Sequence, residues 1–261
     1  MNLDLHNKNA LVCGSTGGIG LASAIELSKL GAHVTLLSRS EEKLRDVIRQ
    51  LEPHSLRPHN YLIADQSDTT ALKACVSAAL TSTTFHILVN NTGGPAPGAA
   101  IDADFSAFAE AFQAHLGAAQ TLVQLVTPGM RAAGYGRIVN VISTSVRIPI
   151  AGLGVSNTIR GAMASWAKTI SLELGPSGIT VNNVLPGSTV TPRLQAVIQS
   201  RAERTGKTTA EVIEEMKQEI PLRRLSAPEE VGAVVAFLAS PAAGYISGTS
   251  IPVDGGRTGS I

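Results

Sequence analysis

The chain has 261 residues, 44% of them hydrophobic and 16% charged, with a formal net charge of +1. That length holds one large α/β domain or two small ones, and that composition supplies a sizeable core. The near-zero charge argues against a surface that neutralises nucleic-acid phosphates, and no apolar run reaches the length of a membrane span. The N-terminus lacks a basic region followed by an apolar one, so no signal peptide is expected and the cytoplasm is the expected location. Cys13 and Cys75 form no close pair and are expected to be reduced core thiols, with no metal site.

Residues 10–13 read as a buried strand. Gly14, Gly18 and Gly20 follow at G-x-x-x-G-x-G spacing, and residues 21–30 continue as an amphipathic helix. Strand, glycine turn and helix are what a phosphate cradle needs. Gly14 permits the tight turn, Gly18 lets backbone approach an anion, and the helix start offers unpaired N–H groups and a positive dipole end. A glycine turn by itself is weak evidence, because loops collect glycine for many reasons.

Residues 33–37 form a second strand, and 41–51 a charged helix stopped before Pro53. Residues 60–64 read as a third strand, and Asp68 is placed to cap a helix over 71–80. Strand four covers 86–90 and leads into a glycine/proline loop over 91–98. A long helix from about 104 to 127 is ended or kinked by Pro128 and Gly129. Strand five covers 137–143, and a second long helix covers 153–174. In that helix Val155, Ile159, Met163, Trp166, Ile170 and Leu174 recur at steps of three or four. The stripe fits core or subunit contact, and Trp166 needs no cofactor role. Strand six (179–185), a helical charged insertion (192–219), a helix (227–239) and strand seven (249–253) complete the chain. The alternation predicts one α/β domain over 1–261, a seven-stranded parallel sheet with helices on both faces. Loops following the strands then share one sheet edge, where open α/β folds bind ligands.

Five stretches, in order, resemble the short-chain dehydrogenase/reductase family. Cys13-Gly-Ser-Thr-Gly-Gly-Ile-Gly20 is similar to its T-G-x-x-x-G-I-G motif, with Cys13 replacing Thr. Asn90-Asn-Thr-Gly93 is similar to N-N-A-G, with Thr92 replacing Ala. Arg137-Ile-Val-Asn-Val-Ile-Ser143 resembles the strand carrying the catalytic serine, and Asn182-Asn-Val-Leu-Pro-Gly187 with Thr191 resembles the segment bordering the nicotinamide. Gly248-Thr-Ser-Ile-Pro-Val-Asp-Gly-Gly256 resembles the C-terminal signature. Among members, the chain looks most like those named 3-oxoacyl-acyl-carrier-protein reductases. The resemblance implies a single Rossmann-type doubly wound domain with a helical lid at about 192–219. It places Gly14, Ser15, Thr16, Gly18, Ile19 and Gly20 at the phosphates and Asp65 and Gln66 at adenine. Asn91, Thr92 and Gly93 lie along the ribose, and Pro186, Gly187, Thr189 and Thr191 border the nicotinamide. It also implies a homo-oligomer, dimer or tetramer, built on the two long helices and the C-terminal segment.

The end of strand two selects the dinucleotide. A carboxylate there would hold the adenosine ribose hydroxyl, but the chain has Ser38-Arg39-Ser40. The Arg39 guanidinium suits a 2′-phosphate, so NADP(H) is expected over NAD(H).

The catalytic helix departs from the family. Its Tyr follows the catalytic Ser by thirteen residues in many members, with a Lys four further on; counting from Ser143 gives Ser156 and Arg160. The family's helix Asn aligns with His115. A phenol has a pKa of about 10 that a nearby ammonium lowers; an aliphatic hydroxyl is a poorer acid, and Ser156 ends several ångströms short of a phenol oxygen. Ser156 can relay a proton only through water. Arg160 can hydrogen-bond ribose hydroxyls but takes no part in proton exchange. His115 either titrates near neutrality and feeds protons to the site, or fills the polar slot left by Asn. Ser143 either orients a carbonyl oxygen or is an ordinary strand-end serine.

Val146, Ile148, Pro149 and Ile150 are expected to line an apolar substrate wall. The lid cations Arg193, Arg201, Arg204 and Lys207 either meet an anionic substrate tail or form a solvated helix surface. The expected function is an NADP-dependent oxidoreductase of a small-molecule carbonyl/alcohol pair, with 3-oxoacyl compounds among the candidates, with a non-standard proton donor and no nucleic-acid or membrane partner. The alternative is an NADP-binding pseudoenzyme acting as a sensor or partner subunit, with a non-redox lyase or isomerase as a third reading.

Overall fold

The computed structural model describes residues 1–51 and 57–259. Pro53, expected to stop the second helix, lies outside the described residues. Seven parallel strands form one sheet: β1 (Asn9–Cys13), β2 (His33–Ser38), β3 (Asn60–Ile63), β4 (Ile87–Asn90), β5 (Gly136–Val141), β6 (Ile179–Pro186) and β7 (Ser250–Val253). Their spatial order is β3-β2-β1-β4-β5-β6-β7. The order reverses between β1 and β4, so the loops after these two strands open a crevice at one sheet edge, the position at which doubly wound sheets bind ligands.

Apolar side chains on alternate strand positions divide the core between the two faces. One face packs against α1 (Gly18–Lys29), α2 (Glu41–Leu51) and α9 (Pro228–Ala239), through Ala24, Leu27, Leu44, Val47, Val231 and Val235. The other packs against α3 (Thr69–Leu80), α5 (Ala118–Ala132) and α6 (Gly154–Leu174), through Leu72, Val76, Leu122, Val126, Ala167 and Ile170. Trp166 bridges to α5 by donating its indole N–H to Gln120 Oε1 at 2.8 Å. Asp68 caps α3, accepting from the backbone N–H groups of Thr70 and Ala71, a contribution of about 1 kcal/mol.

Three local expectations are corrected. The helix expected over 104–127 is two helices, α4 (Phe105–Phe112) and α5, joined by a π-helical turn over Gln113–Gly117 that contains His115. Pro128 does not end the helix: α5 continues through it to Ala132. An interior proline costs about 3 kcal/mol, but burial of Val126, Thr127 and Met130 around it holds the last turn on the sheet. Strand five stops at Val141 rather than at Ser143, which instead heads a short 3-10 turn, Thr144–Val146. The charged insertion is two helices, α7 (Pro192–Thr205) and α8 (Thr209–Gln218), the second opened by a reciprocal Thr208/Glu211 capping box. Among the described residues, no helix is long and apolar enough to cross a membrane and no His/Cys/Asp/Glu group is arranged to hold a metal.

Candidate active site

The glycine turn between β1 and α1 is closed on its protein side. A Cβ on Gly20 would overlap the Gly14 carbonyl oxygen, and one on Gly14, which has φ +57°, would come within 2.7 Å of the Asn91 carbonyl oxygen. Only glycine allows both the positive φ and this approach. Asn91, just after β4, braces the turn by donating its side-chain amide to the carbonyls of Cys13 and Gly14 at 3.2 and 3.1 Å. Gln66 donates to the Asn91 carbonyl at 3.1 Å, so loops after three strands are tied together.

The turn's other side is open. A Cβ on Gly17 or Gly93 would meet nothing within 4 Å. Gly17 supplies no side-chain cap to α1, and the first turn of α1 holds no acidic residue, leaving its N–H groups for an outside acceptor. Ser15 is buried, its hydroxyl 3.5 Å from the Leu37 carbonyl, and Thr16 Oγ1 lies 3.3 Å from Ser38 Oγ. Ile19 packs at the edge of the core, and Thr191 closes over the turn against Gly18. This donor set fits a dinucleotide's diphosphate.

At the end of β2, Arg39 is 78% exposed and only 3.5 Å from Asp65 Oδ2. Asp65 also accepts from the Ser67 N–H and hydroxyl, which hold its carboxyl below the usual carboxylate range, with Arg39 helping. So loose an exposed pair contributes little, and Arg39 can leave it at small cost.

The other side of the crevice is set by α6. Two backbone hydrogen bonds clamp its start to the loop after β4, Gly98 N–H to the Gly152 carbonyl at 2.7 Å and Gly154 N–H to the Gly98 carbonyl at 2.9 Å. Asn157 ties the 146–152 segment to α6, donating to the Ile150 carbonyl at 2.9 Å. In that segment Ile148 is half exposed. Ser143 Oγ accepts from the Ser145 N–H at 3.0 Å, which leaves the Ser143 hydroxyl proton free to donate. Ser156 is buried one turn before Arg160 on the same helix face. Arg160, 8% exposed, donates from Nη1 to the Val141 carbonyl at 2.9 Å. Burial pushes the Arg160 pKa down to about 10, so it keeps its charge at neutral pH.

His115 does not titrate near neutrality. It is 4% exposed, and burial, reinforced by the Arg160 charge, pushes its pKa down to about 3 against a bond to the Gly93 backbone. It is a neutral ring joining the π-helical turn to the loop after β4.

Among the described residues, neither Tyr135 nor Lys168 stands beside Ser156 and Arg160. Tyr135 lies at the opposite sheet edge, where its hydroxyl donates to the Ala239 carbonyl and Lys8 and Arg137 stack on its ring. Lys168 lies against Gly248. At the end of β6, Pro186 leads into Gly187, which passes against Asp254; the buried Thr189 pairs its hydroxyl with Ser226 at 2.8 Å, and Thr191 caps α7. Thr92 is half buried beside Gly93.

Sequence reasoning missed Arg193 as a distinct site residue. In the first turn of α7 it lies over Gly94, whose Cβ would stand 3.0 Å from Arg193 Nε, and its charge acts on both Arg160 and His115. Its neighbours Arg201 and Lys207 instead pair with Glu215 and Glu219. Charge pattern alone did not separate these cations. Also missed was a chain of amides across the sheet, from Asn90 to Asn140 at 2.8 Å, Asn140 to Asn183 at 2.9 Å and Asn183 to Ser250 Oγ at 3.0 Å. It fixes the strand ends that carry the site.

Residues 14–258 match the family model described as Enoyl-(Acyl carrier protein) reductase. An uncharacterized oxidoreductase of Mycobacterium tuberculosis is 31% identical over 257 residues, covering 97% of this chain and 93% of that protein. The structure of L-sorbose reductase from Gluconobacter frateurii complexed with NADPH and L-sorbose superposes with a TM-score of 0.92 at 28% identity, over 100% of both chains. An actinorhodin polyketide ketoreductase with NADPH gives 0.90 at 28% identity, over 97% of this chain and 98% of that one. With the family motifs assembled around one crevice and the match running through nearly all of the sequence, the chain belongs to the short-chain dehydrogenase/reductase family of oxidoreductases, close in type to its 3-oxoacyl-acyl-carrier-protein reductase-like members.

Proposed function

We propose that the protein is an NADP-dependent reductase of a small carbonyl compound, with water taking the place of tyrosine as the proton source. The observation that carries the dinucleotide reading is the glycine turn braced by Asn91 and open on its outer side. The NADPH-bound L-sorbose reductase and ketoreductase structures support the same reading. In it, the backbone from Ser15 to Gly20 holds the diphosphate, Asp65 and Gln66 border adenine, and Arg39 takes the 2′-phosphate. Asn91, Thr92, Gly93 and Arg160 meet ribose, and Pro186, Gly187, Thr189 and Thr191 border the nicotinamide.

The bound dinucleotide supplies a hydride to the carbonyl carbon. As the carbonyl π pair moves onto oxygen, the hydroxyls of Ser143 and Ser156 donate hydrogen bonds to the growing negative charge. The Arg160 guanidinium, one turn from Ser156, adds a fixed positive field. The proton comes from a water that Ser156 orients, because neither a buried guanidinium nor a neutral His115 releases one at neutral pH. Val146 and Ile150, both partly buried, supply the apolar part of the wall beside Ser143. Exposed Phe105, Phe112 and Leu172 on α4 and α6 support dimerisation through these helices.

Fluorescence titration with NADPH and NADH, followed by NADPH oxidation over ketones, 3-oxoacyl thioesters and quinones, tests this. Tight NADPH binding with turnover of a carbonyl compound is expected. Tight binding with no turnover anywhere would make the chain a sensor or partner subunit, and failure to bind either dinucleotide would overturn both readings.

A further inference from the structure

Arg160 and Arg193 are two cations in one crevice without a counterion. Neither forms an ion pair among the described residues, whereas Arg201, Lys207 and Lys217 on the same lid each hold a glutamate. Arg160 is 92% buried by the complement of its 8% exposure, and its one internal acceptor is the uncharged Val141 carbonyl. Arg193 is half buried, fixed over Gly94 by its place in the first turn of α7. The two guanidiniums repel each other, and both oppose a charge on His115. Burying an unpaired charge is unfavourable, and burying two that repel is more so. A surface that only needed solubility would leave both in water.

We propose that Arg160 and Arg193 form an anion site that takes the substrate's carboxylate, making the substrate a short oxo acid. The inference rests on the reading of this crevice as the reductase site. The helix supplies the reason for a short substrate. Arg160 follows Ser156 by four residues, so an anion on the guanidinium stands beside the hydroxyl that meets the reacting oxygen. Carboxylate and carbonyl are then only a few atoms apart. A guanidinium presents a planar fork of N–H donors that matches a carboxylate in a bidentate pair.

The same charge chemistry would serve the diphosphate of the dinucleotide, and the experiment separates the two. NADPH-saturated protein is titrated calorimetrically with pyruvate, acetoacetate and levulinate, each beside its methyl ester. At least one acid is expected to bind about tenfold tighter than its ester, a charge-assisted preference. Arg193→Gln is expected to erase that preference while the NADPH dissociation constant stays within about twofold, and Arg204→Gln, on an exposed lid cation, to change neither. The proposal is overturned if no acid binds better than its ester. It is overturned equally if Arg193→Gln weakens NADPH and leaves the acid-to-ester ratio intact, which assigns the charges to the diphosphate. Preferential acid binding without NADPH oxidation would keep the anion site and remove the reductase reading.

Discussion

Asn91 Nδ2 lies 3.1 Å from the Gly14 carbonyl oxygen and 3.2 Å from that of Cys13, so one side chain holds the loop after β4 onto the turn after β1. Replacing Asn91 with Ala orphans both carbonyls on this side, a loss of about 1–3 kcal/mol. NADPH affinity should fall about tenfold by fluorescence titration, with a lowered thermal midpoint. An unchanged affinity would mean the turn holds its shape without the brace.

Arg39 should set the dinucleotide preference. It gives up only a 3.5 Å exposed pair with Asp65 to reach a phosphate. Arg39→Ala is expected to weaken NADPH binding about tenfold, since hydrogen bonds between charged groups are the strong ones, and to leave NADH binding unchanged. Equal loss for both dinucleotides would remove Arg39 from the selector role.

The double variant Ser156→Tyr with Arg160→Lys puts a phenol and an ammonium four residues apart on α6. A positioned general acid contributes on the order of 100-fold or more, so NADPH-dependent ketone reduction should rise by about that factor. If activity does not rise while NADPH still binds and the fold is intact by circular dichroism, the missing donor is not what limits the site.

His115 makes stability depend on pH in a stated direction. Its pKa is about 3 in the folded chain against 6.5 unfolded, so between these values the unfolded state binds the extra proton. The stability contributed by keeping the ring neutral is complete above about pH 6.5 and is lost as pH falls toward 3, at no more than about 1.4 kcal/mol per pH unit. Urea midpoints at pH 7 and pH 5 should therefore differ more for the native chain than for His115→Asn. Parallel shifts in the two proteins would contradict the buried neutral ring.

Asn140 is fully buried, accepting from Asn90 and donating to Asn183. Asn140→Leu breaks the amide chain in the middle and strands polar groups on both sides, each worth about 1–3 kcal/mol. A fall of that size in unfolding free energy by urea titration is expected. A neutral result would show that the neighbouring amides find other partners.

Local chemistry in the sequence was enough to place the order of the seven strands, the glycine turn and the Asp68 cap. These depend on periodicity and on turn geometry. Local signals failed where packing overrode them: Pro128 reads as a helix end or kink near residue 127, yet the buried side chains around it carry α5 on to Ala132. Register also lies beyond a single segment. Asn90, Asn140 and Asn183 become one chain because β4, β5 and β6 align Asn90 with Asn140 and Asn140 with Asn183. Burial and charge isolation are tertiary in the same way. Arg193 and Arg201 look alike in a lid rich in both signs, and His115 looks like a titrating histidine. Only the folded chain leaves Arg193 without a glutamate and seals His115 beside Arg160, because desolvation and pairing depend on what other elements bring within reach.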